Sequence, residues 1–318
     1  LVIRVSRASK NARLYLYSTM RRLIRNIIIL TFLIIQNGLK AQENPAQSSY
    51  AYNPLILSPS FAGLNTGTLS ILNDFQYMGI EGAPRTTIST FDYGLVDLNL
   101  GLGLDITNDR IGPISNSIIR FSTAYHLKVG RGETFSFGMR HNFFNINLDL
   151  QGENRIDIDD VTVFDNTFSS FTYNLDISGL YYARKTYVGA TVLNAIRGRF
   201  LDSNFTARSF NVFLGSEYQY SRNIRFAYSG ALIVEEGSPN TINLYAQYFI
   251  NPKWRAGIHS HARLIGFNTI FETKGFRIFY KYSYPRISGF RRQSHSVGLS
   301  FDFINEKQKI ETPIFFLN

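Results

Sequence analysis

From residue 68 onward the chain repeatedly alternates apolar and polar side chains with a period of two. Such a pattern restricts a chain to extended strands with one face in an apolar medium and the other in a polar one. Ile119, Phe121, Thr123, Tyr125 and Leu127 give one largely apolar face, and Arg120, Ser122, Ala124, His126 and Lys128 the other. Phe135, Phe137, Met139 and Phe143 stand against Ser136, Gly138, Arg140 and Asn142 in the same way. Ile242, Leu244, Ala246 and Tyr248 face away from Asn243 and Gln247, and Phe276, Ile278, Tyr280 and Tyr282 face away from Arg277 and Lys281. From residue 42 on, no apolar run reaches the roughly eighteen residues of a membrane-spanning helix, so helical spans are excluded. An aromatic share of 15%, with 27 Phe and 19 Tyr, suits pleated strands.

A soluble sandwich or lipocalin-like barrel also alternates, but it turns its apolar face inward and shows a charged face to water. Charged residues here are only 18%, below the roughly 25% of an ordinary soluble domain. The polar faces mix Gly, Ser, Asn, Arg and Tyr, including Asn211, Glu217, Gln219, Arg225 and Asp302. The expected fold is therefore all-β, a transmembrane antiparallel barrel in which apolar residues point at lipid and polar ones line a lumen.

Segments near 68–78, 85–95, 99–106, 116–127, 134–148, 171–182, 185–194, 207–220, 223–234, 240–250, 253–260, 264–272, 275–283 and 295–303 give about 14 strands, an even number as single-chain bacterial barrels require. Tight links near 96–97, 130–131, 183–184, 221–222, 251–252 and 273–274 alternate with longer ones at 79–84, 107–115, 149–170, 195–206, 235–239 and 284–294. Only the link near His261 to Arg263 is too short for its place. Short turns belong to the periplasmic side of such barrels, which places both termini there.

The net charge of +10 would ordinarily suggest nucleic acid. Eight of the 33 basic residues, Arg4, Arg7, Lys10, Arg13, Arg21, Arg22, Arg25 and Lys40, lie in residues 1–41, which hold no acid, leaving 25 against 23 acids and a net of +2. Nucleic acid is thus not an expected partner. Residues 20–41 read as a signal peptide, with Arg21, Arg22 and Arg25 before the apolar run Ile27 to Ile35 and a small residue, Ala41, at the cut. Residues 1–19 read as an upstream extension from the choice of start site. Residues 42–67 form an N-terminal periplasmic or plug-like segment, 68–303 the barrel and 304–318 a tail. The absence of cysteine removes disulfides and thiolate chemistry.

Catalytic and metal signals are weak. His259 and His261 share a strand face, as two ligands would, but no third ligand is near in sequence. Glu153, Asp157, Asp159, Asp160 and Asp165 lack the spacing and glycine of a calcium loop. No catalytic residue, metal or cofactor is assigned, and the chain is not expected to be an enzyme. Gly101-Leu102-Gly103 begins no phosphate motif; glycines in such a strand relieve crowding or permit bending.

The most specific stretch is Tyr52-Asn53-Pro54-Leu55-Ile56-Leu57-Ser58-Pro59-Ser60-Phe61-Ala62-Gly63, followed by Gln76-Tyr77-Met78-Gly79-Ile80-Glu81-Gly82-Ala83-Pro84-Arg85-Thr86, Ser89 and Asp92. It resembles the PorP/SprF family, outer-membrane proteins of the type IX secretion system in Bacteroidota. Gly101-Leu102-Gly103 and Asn108-Asp109-Arg110-Ile111-Gly112-Pro113 are also similar to it. This copy departs from the family pattern at Ser58, Ser60, Asn73 and Tyr77. The resemblance implies a non-enzymatic outer-membrane component that supports secretion or surface attachment of an adhesin-like protein with a C-terminal sorting domain, including proteins used in gliding motility. Implied partners are that secreted adhesin, other type IX components and outer-membrane lipid.

On the motif, Asn53, Pro54, Pro59, Ala62, Gly63, Gln76, Gly79, Gly82, Ala83, Pro84 and Thr86 are the candidate binding residues. Gly298, Phe301 and Phe303, closing the last strand, resemble the terminal β-signal read by barrel-assembly machinery. Two prolines block ladder pairing, so the Asn53-to-Gly63 segment is expected at the periplasmic mouth or inside the lumen. A turn-rich lead into the first strand with only a folding role is the plainer alternative. The competing function is a solute channel of porin or FadL type.

Overall fold

A computed structural model describes residues 49–64, 67–149, 167–183, 185–200, 204–221, 224–261, 264–273, 275–285 and 292–303. The expected signal peptide, upstream extension and tail lie outside them. Fourteen antiparallel strands close into one barrel: β1 (Thr68–Phe75), β2 (Arg85–Leu95), β3 (Leu100–Ile111), β4 (Ile114–Gly130), β5 (Glu133–Asp149), β6 (Thr167–Ala183), β7 (Thr186–Ile196), β10 (Ser209–Gln219), β11 (Arg225–Glu235), β12 (Thr241–Asn251), β13 (Trp254–His261), β14 (Leu264–Thr273), β15 (Phe276–Pro285) and β16 (Ser294–Asp302). A two-residue pair, β8 (Arg199–Phe200) and β9 (Asn204–Phe205), sits in the connection between β7 and β10. β1 closes the ring on β16, Thr68 pairing with Asp302 and Phe75 with His295. No helix among the described residues is long and apolar enough to cross a membrane.

Sidedness follows the alternation. Leu69, Ile71, Phe121, Phe137, Leu214, Ile258, Phe267 and Phe301 are exposed on the outer wall, while Ser70, Ser122, Ser136, Asn211, Asn268 and Ser300 are buried on the inner one. A soluble protein does not tolerate so continuous an apolar exterior. Only a hydrocarbon surround lets these side chains face outward without cost, while every strand edge is paired, as a spanning sheet demands.

The two mouths differ. Thr68 and Asp302 lie at one, here the near mouth, with the tight connections 96–99, 131–132 and 252–253; the loop 76–84 lies at the far mouth. The expected loop at 107–115 is instead the tip of a β-hairpin, β3 running to Ile111 and β4 starting at Ile114. β5 ends at Asp149, one residue past its expected end, while β6 already starts at Thr167, ahead of the expected 171. The reason is a reversal of sidedness at these tips. Beyond the exposed pair Phe143 and Phe171 the outward positions become polar, Asn145, Asn147 and Ser169, and the alternate positions become apolar, Phe144, Ile146 and Leu148. Strand pairing continues past the lipid, so a pattern keyed to a greasy exterior stops short of the real ends.

Candidate functional site

Residues 49–64 form no barrel strand, and every one of them is buried. Local chemistry explains their shape. Two single-turn 3-10 helices, Pro54–Ile56 and Pro59–Phe61, each begin on a proline, which lacks the N–H that a ladder needs and has its φ preset for a turn. Asn53 caps the first, its Oδ1 accepting from Leu55 N at 3.1 Å.

Contacts run around the ring, so the segment lies inside the barrel. The Tyr50 hydroxyl meets Ser229 Oγ at 3.2 Å on β11, and its ring packs edge-on against Tyr245 of β12. Phe61 packs against Tyr187 of β7 and Phe213 of β10. Those two large inward rings find room because their direct cross-strand partners are Gly215 and Gly189. Ser60 N donates to Ser178 Oγ on β6 at 3.0 Å, and Ser136 Oγ on β5 donates to Ser60 O at 2.6 Å. His126 Nε2 on β4 lies 2.9 Å from Ala62 O. Tyr52 stacks on Phe279 of β15 with ring centres 4.8 Å apart, while Asn53 Nδ2 donates to Ser70 of β1 and Thr90 of β2. Consecutive residues thus reach opposite sides of the β1–β16 seam.

Charge fixes the middle of the segment. Arg140 Nε pairs with Asp176 Oδ2 at 2.8 Å, both side chains nearly fully buried, and Arg140 Nη1 donates to the carbonyls of Leu55 and Ile56 at 3.1 and 3.3 Å. The other carboxylate oxygen of Asp176 accepts from Asn194 N at 2.7 Å. A buried pair of this kind persists when its remaining hydrogen-bonding capacity is met, as it is here. Burial pushes the Tyr50 and Tyr52 phenols up, so both stay protonated.

The segment re-enters the wall at Gly63, whose N donates to Asp92 Oδ1. Gly63 has φ +78°, and a Cβ there would stand 2.3 Å from Gly101 Cα. A Cβ on Gly101 would in turn stand 1.9 Å from Ala62 O, and on Gly103 2.9 Å from the Leu55 methyls. These glycines admit the close backbone approach of a second segment, which is a form of the crowding relief expected of them.

The motif is split between two places. Asn53, Pro54, Pro59, Ala62 and Gly63 lie in the lumen segment; Gln76, Gly79, Gly82, Ala83 and Pro84 form the far-mouth loop, with Thr86 just inside β2. Gln76 N donates to Pro84 O at 3.0 Å and Ala83 N to Ile80 O at 3.3 Å, closing the loop on itself. Gly79 (φ +87°) lies beside the Arg292 guanidinium, and Gly82 O accepts from Gly112 N at 2.9 Å. Thr86 Oγ1 donates to Asp109 Oδ1 at 2.6 Å. The two halves of the motif are therefore not one site. Of the β-signal residues, Phe301 and Phe303 are exposed on the outer wall, whereas Gly298 faces inward, where a Cβ would meet the Tyr52 ring at 2.9 Å.

His259 and His261 both face the lumen, His259 Nε2 lying 2.9 Å from Ser283 Oγ and His261 Nδ1 against Asn243 Oδ1. Among the described residues no cluster that could hold a metal is present. Arg140 and Asp176 carry more of the site than any motif residue, and the sequence motif misses both. Their signal was register: counted along the antiparallel pair, Arg140 stands directly opposite Asp176.

A family model described as type IX secretion system membrane protein PorP/SprF matches residues 39–303. No curated protein matches the chain. Similar solved structures include the toluene transporter TbuX of Ralstonia pickettii, 12% identical with TM-score 0.49, covering 81% of this chain and 94% of that one. The CymD monoaromatic hydrocarbon channel is 13% identical with TM-score 0.48, covering 84% and 96%. Omp33 of Acinetobacter baumannii is 8% identical with TM-score 0.47, covering 75% and 98%. At these values the likeness says nothing of what the barrel carries.

Proposed function

This chain belongs to the PorP/SprF family of type IX secretion system membrane proteins, and from that premise we propose that it is a docking barrel rather than a conduit. It is an outer-membrane protein. It supports secretion or surface attachment of an adhesin-like protein bearing a C-terminal sorting domain, working beside other secretion components with both termini in the periplasm. Binding alone suffices for this role, and no bond need be made or broken.

The observation that carries the reading is the buried lumen segment. Tyr50, Leu55, Ile56, Leu57, Phe61 and Leu64 are each almost fully buried. At about 1.5–3 kcal/mol per side chain, withdrawing them together costs on the order of 10 kcal/mol, which leaves an emptied lumen too rare to sustain solute flux. This favours a segment that acts as a plug over a solute channel.

Planar-bilayer recording separates the two. The full chain is expected to be electrically quiet, and a variant lacking residues 49–64, where it still folds, to show steady conductance steps. Steady conductance of the intact chain would favour the channel. Co-purification from detergent-solubilised outer membranes with the sorting domain of a secreted adhesin tests the docking role directly, and its absence with secretion unimpaired in a deletion strain would end that reading.

A further inference from the structure

The near mouth carries a crown of cations that the lumen does not use. Lys128 at the end of β4, Arg131 in the next turn and Lys253 between β12 and β13 are exposed and make no ion pair with another described residue. Lys185 and Arg225 share a single carboxylate, that of Glu217, the second at 3.7 Å, which leaves one positive charge uncompensated there. The exposed carboxylates at this mouth are Asp97 and Glu133, while the half-buried Glu272 and Asp302 are each taken up by a buried arginine, Arg255 and Arg277. The far mouth has no such excess: exposed or half-buried Glu81, Asp109, Asp149, Glu235 and Glu236 face Arg85, Arg110, Arg197, Arg208 and Arg292.

Direction distinguishes the partner. Lys128 falls on the face of β4 that holds His126 against the lumen segment, Lys185 reaches the inward Glu217, and Arg225 lies over the buried Phe249 ring at 3.7 Å. The outward positions at this end are apolar or aromatic: Leu127, Val129, Tyr218 and Trp254. Lys128, Lys185 and Arg225 therefore border the opening instead of the lipid belt, Arg131 and Lys253 are exposed on turns at the same mouth, and these cations are spread over separate turns where no small anion could touch them all. We infer that the near-mouth crown of Lys128, Arg131, Lys185 and Lys253 docks the acidic surface of a protein that caps this opening. The inference rests on the reading of the barrel as a docking protein, and complementary charge would steer and orient that partner.

The test uses the full chain in nanodiscs with fluorescent poly-L-glutamate as the probe. Binding is expected to weaken at least about tenfold as salt rises through the range where exposed charges are screened. The triple variant K128E/R131E/K253E is expected to lose at least about tenfold in affinity, with K128Q/R131Q/K253Q in between, while far-mouth R85E/R110E/R292E binds as the parent does. Should the reversal variant not fold, judged by heat-modifiable migration, the neutral one decides. Equal binding by parent and crown variants, equal loss in the far-mouth control, or crown-dependent binding to phosphatidylglycerol vesicles in preference to poly-L-glutamate overturns the inference. Failure of adhesin co-purification with crown-dependent binding intact would count against the proposed function alone.

Discussion

Gly63→Ala is expected to destabilise the folded barrel by about 2–5 kcal/mol, the sum of a left-handed backbone that alanine resists and an overpacked contact. Both causes act on one atom. Gly63 has φ +78°, and its added methyl would stand 2.3 Å from the Cα of Gly101, a strand backbone locked in the ladder between β2 and β4. Neither side can yield cheaply, because Gly63 N is tied to Asp92 and Ala62 O to His126. Gly101→Ala isolates the steric part, since that residue has no positive φ, and is expected to cost about 1–3 kcal/mol. Urea unfolding in detergent, followed by the shift from the compact to the extended band, measures both. Full retention of stability by Gly63→Ala would mean that the lumen segment does not enter the wall by this tight approach.

The second large effect belongs to Arg140. Arg140→Ala strands Asp176 in the wall and leaves the carbonyls of Leu55 and Ile56 without their donor, so a loss of about 3–5 kcal/mol is expected. Replacing both charges, as in R140M/D176L, is expected to restore part of that loss, because an apolar pair carries no desolvation cost. The lumen segment should loosen before the barrel does, giving earlier proteolysis within 49–64 in Arg140→Ala than in the parent. If the single variant lost less than about 1 kcal/mol, the pair would be no more than a surface-strength contact.

Much of the architecture was legible in the residues. Alternation around Phe121, Phe137 and Tyr280 marks the lipid face, and the strand number emerges from it as the structure has it. Proline chemistry at Pro54 and Pro59 excluded a wall strand, and these residues do lie off the wall. The hairpin tip at 107–115 was illegible because Asn108, Asp109 and Arg110 look like loop residues. In place, Asp109 accepts from the inward Thr86 while Arg110 is exposed on the opposite face, so a polar run continues the ladder. The site was harder still. Gly101, Gly103 and Gly298 acquire their reason only when the lumen segment is laid against them, a contact between residues distant in sequence that composition cannot reveal.

Tyr52 and Asn53, gripping β15 and β16 on one side and β1 and β2 on the other, work as a staple across the junction of first and last strands. A cargo leaving sideways into the bilayer would have to unzip β1 from β16 and pull out that staple in the same motion. The barrel is in effect a riveted hoop, its side held shut by that staple as well as by the ladder between its end strands.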